Sequence, residues 1–149
     1  MRPQEKLFTA SALIEAAAGL PLVSFPAFAI WLLLGVREPS PEALMVSRIC
    51  GAALLAIAVA CWLGRVDAGS GSQHGVLWAL LLYNVEAFAV LAISGSMLRM
   101  GGVALWPAVG LHVVMAIWCA LNLRAWHARA EPTSSIGNRS IPTGPPNDH

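Results

Sequence analysis

The side chains in this sequence that could perform chemistry are polar groups set inside long apolar runs. They are Glu15, Arg48, Tyr83, Glu86 and His112. A carboxyl group in hydrocarbon must be protonated, paired or hydrated, and a carboxylate beside an imidazole can exchange a proton near neutral pH. These residue types therefore predict proton exchange or ligand binding inside a membrane, or else a neutralised network that fixes helix packing.

The elements that must position these groups are membrane-spanning helices. The chain has 149 residues, of which 57% are hydrophobic and 11% charged, and its mean hydropathy is +0.66. Soluble domains carry a charge at roughly a quarter of their positions. A net charge of +1 gives no basis for nucleic-acid binding. The composition predicts an integral membrane protein whose first partner is the lipid bilayer.

Four apolar runs are long enough to cross a bilayer, and they predict an all-α bundle of four transmembrane helices. Within a membrane domain of residues 1–127, the helices are expected at residues 7–34, 41–65, 75–98 and 103–123. Residues 128–149 are rich in proline and small polar residues, so we expect a disordered cytoplasmic tail there.

The first run is longer than the ~30 Å hydrocarbon core requires, so it must tilt or bend. Pro21 and Pro26 are the expected bending points. Ala27-Phe28-Ala29 resembles a signal-peptidase site, but Glu15 interrupts the segment before it and the apolar run continues beyond it. An anchoring helix is therefore favoured over a cleaved signal peptide.

Small residues at helical spacing predict two packing faces. The second run opens with the helix-start signal Ser40-Pro41-Glu42, and small residues then recur at every fourth position, namely Ala52, Ala56, Ala60 and Gly64. A second stripe of Ala108, Ala116 and Ala120 includes His112 in its series. This second stripe indicates a histidine turned toward another helix.

Depths along the helices suggest which polar groups could meet. Glu86 should lie about 16 Å from one face and His112 about 13 Å from the other, which makes them level near mid-membrane. Tyr83 precedes Glu86 by one helical turn, and Asn84 flanks it. Arg48 could reach this pair from the outer side.

We accordingly expect a cluster of Glu86, His112, Arg48 and Tyr83, with Glu15 as a peripheral member that approaches from the inner side. Arg48 and Glu15 have an equally favoured alternative, because each could extend to its nearer membrane interface.

Basic residues predict the orientation. With a cytoplasmic N-terminus, the inner side holds six of them and the outer side only two. The inner set is Arg2, Lys6, Arg65, Arg124, Arg129 and Arg139, and the outer set is Arg37 and Arg99. Both termini are therefore expected in the cytoplasm.

Catalytic and metal-binding motifs are missing from the sequence. It has no nucleophile elbow, HExxH or CxxCH motif, and its cysteines, Cys50, Cys61 and Cys119, lie in apolar runs without metal-ligand spacing. We expect no enzyme activity, no metal and no cofactor. The favoured role is a non-enzymatic accessory or interaction subunit, as a homo-oligomer or with a partner membrane subunit. The alternative is a small-ligand-binding or proton-linked transport protein that uses a buried Glu86/His112 cluster.

Several short segments carry a resemblance to known proteins. They are Leu13 to Leu20, Arg48 to Leu55, Ala60 to Leu63, Leu81 to Asn84 and Trp106 to His112. They resemble a group of small, uncharacterised four-helix bacterial inner-membrane proteins, and the layout is loosely similar to that of the DoxX-like membrane proteins. The resemblance implies a four-helix bundle in a bacterial inner membrane. It implies no activity, because DoxX-like redox roles would need a cofactor or partner subunit that this sequence does not reveal.

Overall fold

The computed structural model describes residues 3–67 and 70–130, and every regular element in these ranges is an α-helix. The helices are α1 (Pro3–Ser24), α2 (Pro26–Leu34), α3 (Pro41–Gly64), α4 (Gly71–Ser96) and α5 (Leu105–Ala130). Four of them, α1, α3, α4 and α5, are long and apolar enough to cross a membrane. The all-α class is therefore confirmed.

The helix termini follow local capping signals. The side chain of Ser40 accepts a hydrogen bond from the backbone N–H of Ala43 at 3.3 Å, so α3 starts at Pro41 as expected. Ser70 caps α4 in the same way, accepting from Gln73 N–H at 3.1 Å, which starts that helix before the apolar run does. At the other end of the chain, α5 continues to Ala130.

The C-terminal boundary of the bundle differs from the expected one at residue 128. Residues 128–130 are helical, because alanine and arginine favour the helix. The remainder of the expected tail, residues 131–149, lies outside the described residues.

The first apolar run is two helices, whereas the sequence predicted one bent helix over residues 7–34. The break falls at Phe25, whose φ of −134° and ψ of 59° are not helical. Pro26 causes it, because a proline ring disfavours the helical conformation of the preceding residue. Pro21, by contrast, is accommodated inside α1. At 1.5 Å per residue α1 alone is about 33 Å long, so it can cross a bilayer without α2.

The four long helices form two tight pairs, α1 with α3 and α4 with α5, and contacts between the pairs are sparse. The first pair is closest at Gly19 and Gly51. A Cβ atom added to either glycine would lie 2.8 Å from the carbonyl oxygen of the other. Hydrogen in place of a side chain lets the two backbones touch, as small residues do in membrane helix pairs.

The expected packing stripe of α3 is corrected by this contact. Ala52, Ala56 and Ala60 are exposed, and only Gly64 of that set packs inward, against the ring of Phe8. The buried positions of α3 are Ser47, Gly51, Ala58 and Cys61. Gly51 allows a closer approach than its neighbour Ala52, so the helix is rotated to place the glycine in the interface.

The bundle has two ends. We call the end at which α1 begins and α5 finishes the terminal end, and the opposite end, where α2 and α4 finish, the loop end. At the terminal end, the side-chain amide of Gln73 donates to the carbonyl oxygen of Gly64 at 3.0 Å and joins α4 to α3. At the loop end, the backbone N–H of Ala104 donates to the carbonyl oxygen of Leu32 at 3.0 Å. Gly102 approaches the backbone of Leu32 and Leu33 so closely that a Cβ atom there would clash. Each end of the bundle is thus tied across its loops.

The core between the pairs lies in the terminal half of the bundle. Its buried members come from all four long helices and are Leu7, Phe8, Ala12, Cys61, Leu77, Leu80, Met115, Cys119 and Leu123. We call this region the packed half.

Candidate functional site

A cavity of about 320 Å³ separates the two helix pairs toward the loop end, and we call this region the hollow half. All five helices contribute to its wall, which is mostly apolar. Alanines at three positions leave the space open, namely Ala18, Ala87 and Ala108.

Three polar side chains converge on this cavity from three helices. They are Glu15 of α1, Tyr83 of α4 and His112 of α5. Glu15 is only 3% exposed, and its carboxyl group lies next to the Tyr83 hydroxyl. The rings of Tyr83 and His112 meet edge to face, with centroids 5.6 Å apart. A carboxyl, a phenol and an imidazole are therefore contiguous in an apolar wall.

Asn84 orients the ring of His112 through a hydrogen bond. Its side-chain amide N–H donates to the carbonyl oxygen of Leu80 at 2.8 Å, which leaves its Oδ1 as an acceptor. That oxygen lies 3.0 Å from Nδ1 of His112. Nδ1 of a neutral ring must then carry the proton, and Nε2 is the acceptor nitrogen. In the described part of the chain Nε2 has no hydrogen-bond partner.

The structure brings together three of the five residues singled out in the sequence. Glu15, Tyr83 and His112 line the cavity, whereas Arg48 and Glu86 are exposed and do not. Within residues 3–67 and 70–130, Arg48 and Glu86 form no ion pair with each other. The buried cluster around Glu86 is therefore corrected to one around Glu15.

Rotation about the helix axis explains this correction. At 100° per residue, Glu86 is turned about 60° from Tyr83, away from the cavity. Arg48 lies about 160° around α3 from Cys50, which does line the cavity. The depth of a residue along its helix does not indicate the direction in which its side chain faces around the helix axis.

Glu15 and Asn84 have more central places in the cluster than the sequence pattern predicts. A signal for Glu15 was present, because Glu15 and Tyr83 lie the same distance, about 18 Å, from the starts of α1 and α4. Both helices begin at the terminal end, so the two side chains are level. Asn84 was noted only as a flanking residue, although an amide in an apolar run needs a partner.

The chemistry available to the cavity is hydrogen bonding inside an apolar enclosure. It offers a carboxyl group, a hydroxyl group and an acceptor nitrogen, and its wall, as far as the chain is described, contains no lysine or arginine. In the described ranges, no group of three or more histidine, cysteine, aspartate or glutamate side chains is placed to hold a metal ion. A scan against protein-family models found no matching family, and searches of curated proteins and of solved structures found no similar protein.

Proposed function

We propose that this protein is a non-enzymatic membrane protein that binds a small, mainly apolar ligand bearing a hydroxyl or carbonyl group. The observation that carries the proposal is the convergence of Glu15, Tyr83 and His112 on one cavity whose remaining wall is apolar. A mostly apolar pocket with a few convergent polar groups is the usual composition of a small-molecule site.

The size and charge of the cavity limit the class of ligand that it can bind. Its volume of about 320 Å³ suits a compact molecule. An anionic ligand would need a cation in the wall, and Arg48 is turned away from it. A neutral hydroxyl can donate to an oxygen of Glu15 or to Nε2 of His112 while Tyr83 stays beside Glu15, and it brings no further charge into the apolar wall.

The cavity favours binding over the accessory role expected from the sequence. A network that only fixes packing gains stability when its surroundings are filled, because an empty space forfeits dispersion contacts. Here alanines hold the space open next to the polar groups. Ligand binding therefore moves from the alternative to the leading function, with Glu15 and Tyr83 in the place expected for Glu86.

Native mass spectrometry of the full-length protein in mild detergent tests this proposal. We expect a reproducible non-lipid molecule on the wild-type protein and at least a tenfold loss of its occupancy in Glu15→Gln and in Tyr83→Phe. Glu86→Gln is the matched control, since it neutralises a carboxyl group outside the cavity, and it should retain the molecule. Protein carrying only bulk lipid, or equal loss in the control, would refute the binding site. The same spectra report any homo-oligomer or partner subunit.

We propose a bacterial inner-membrane location with both termini in the cytoplasm. The location comes from the resemblance of the short segments, and the orientation is supported by basic residues. Lys6, Arg65 and Arg124 lie at the terminal end, and Arg37 and Arg99 lie at the loop end. A green fluorescent protein fused to the C-terminus should fluoresce, whereas alkaline phosphatase fused there should be inactive. Active phosphatase would reverse the orientation.

A further inference from the structure

A second groove lies between α4 and α5 at the terminal end, on the outside of the helix pair. Its volume is about 390 Å³. One part of its wall is apolar and the other carries basic and aromatic groups, and the lining is Trp78, Leu81, Ala120, Leu123, Arg124 and His127. It shares Leu123 with the core of the packed half and Leu81 with the residues that pack against that core, and it shares no residue with the cavity of the hollow half.

The basic part of the groove contains a guanidinium group that has no partner among the described residues. Arg124 is exposed, and in the described part of the chain it forms no hydrogen bond or ion pair. His127 follows on the next turn of the same helix face. Among the described residues, none that lines the groove is acidic. A guanidinium presents paired N–H donors in the geometry that phosphate oxygens accept, so this end of the groove is complementary to a phosphate group.

Aromatic contacts hold the basic end in place. The ring of His74 stacks on Trp126 with centroids 5.2 Å apart, and it meets the edge of the His127 ring at 5.6 Å. Nδ1 of His127 contacts the carbonyl oxygen of Leu123 at 2.9 Å. Because α4 and α5 are joined by these rings, the spacing between Trp78 and Arg124 is set by the fold.

The apolar part of the groove continues away from the terminal end, toward mid-membrane. Leu81 of α4 lies there, about one helical turn farther from the terminal end than Trp78. Ala120 of α5 is displaced from Arg124 by about one turn in the same direction. An adjoining groove of about 380 Å³, which shares Trp78 and Leu81, has a wholly apolar wall. Together the two grooves present an end complementary to phosphate, then a tryptophan, then an apolar track. A bilayer presents its headgroups, its interface and its acyl chains in the same order.

We propose that this groove binds an anionic phospholipid, with its phosphate at Arg124 and His127 and an acyl chain along Leu81 and Ala120. The site is independent of the ligand cavity. Its occupant is a lipid of the leaflet that faces the terminal end.

The test titrates phosphatidylglycerol, phosphatidylcholine and inorganic phosphate into the full-length protein in mild detergent, with bound lipid counted by native mass spectrometry. We expect phosphatidylglycerol to bind on the order of tenfold more tightly than phosphatidylcholine, and Arg124→Gln to remove that preference, because a charged hydrogen-bond pair contributes about this much. Arg65→Gln is the matched control. Arg65 is a cation at the same end, but it lies over the Trp62 ring and outside the groove.

A second variant keeps the test independent of the arginine. Ala120→Phe fills the apolar track, leaves Arg124 in place and should weaken phosphatidylglycerol binding severalfold. Equal affinity for the two lipids, or equal loss in Arg65→Gln, would overturn the proposal by showing only general attraction to charge. Competition by inorganic phosphate at the same affinity as the lipid would also overturn it, in favour of a free-anion site.

Discussion

The packed half and the hollow half share the four long helices and differ in how fully side chains fill the space between the helix pairs. In the packed half, Phe8, Leu77 and Met115 fill the space between the helix pairs. In the hollow half, small residues such as Ala18 and Ala87 face the same space and leave a cavity. The polar groups Glu15, Tyr83 and His112 lie in the hollow half. Small residues at a few positions therefore contribute to the cavity, since the same helix pairs pack together about one or two turns away.

The largest expected effect comes from removing a large side chain from the packed half. Leu80 is 1% exposed, and Leu80→Ala should lower the free energy of unfolding by about 3 kcal/mol, through lost contacts and a new void. Leu91→Ala is the matched control, because Leu91 borders the cavity and is only partly buried. Thermal unfolding in detergent measures both. Equal losses would mean that the two halves do not differ in packing.

The next prediction tests whether all helices in the hollow half are loosely packed, or whether only the space between the two helix pairs is poorly filled. Gly19 and Gly51 lie at the level of the cavity, yet their backbones touch. Gly51→Val should therefore cost about 2 kcal/mol by forcing α1 and α3 apart. Ala52→Val makes a similar change on the exposed neighbour and should be nearly neutral. A tolerated Gly51→Val would show that the α1–α3 pair is also loose at this level.

A smaller effect, of opposite sign, should follow from filling the cavity. Ala87→Leu adds apolar volume to the hollow half and should stabilise the protein by about 1 kcal/mol while abolishing ligand retention. Thermal unfolding and native mass spectrometry report the two consequences. The exposed Ala52→Leu should change neither. A destabilised Ala87→Leu protein that still holds its ligand would contradict the assigned cavity.

The smallest effect lies outside both halves, in the turn before α4. Ser70 and Ser72 hold the pKa of the Asp67 carboxyl below its usual range by hydrogen bonding to the carboxylate, with Ser72 Oγ at 2.8 Å. This contribution is present above the unfolded-state pKa, about 3.9, and is lost as pH falls through the lowered folded-state pKa. Asp67→Asn should be slightly less stable near neutral pH and lose less stability on acidification. Unfolding curves from pH 6 to pH 3 compare the two, and identical acid responses would refute the coupling.

The sequence predicts the number of spans well and the inward faces poorly. Long apolar runs and the Ser40-Pro41 start define helices, because a bilayer demands length and satisfied backbone groups. Helices that are apolar on every side carry little information about rotation, since no polar face marks the outside. That is why the sequence pattern predicts inward positions for Glu86, Arg48 and Ala52, whereas all three are exposed. The break at Phe25 was readable from Pro26, but the choice between Pro21 and Pro26 depended on packing.

The hydrogen bond from His112 to Asn84 has a consequence for the free energy of ligand binding in the cavity. Asn84 is itself anchored to the carbonyl oxygen of Leu80 in its own helix, so the imidazole tautomer is set by the protein before any ligand arrives. An incoming molecule meets an acceptor nitrogen already in place and need not wait for a proton to move between ring atoms. Such preorganisation reduces the ordering cost of association, because that cost has been met during folding.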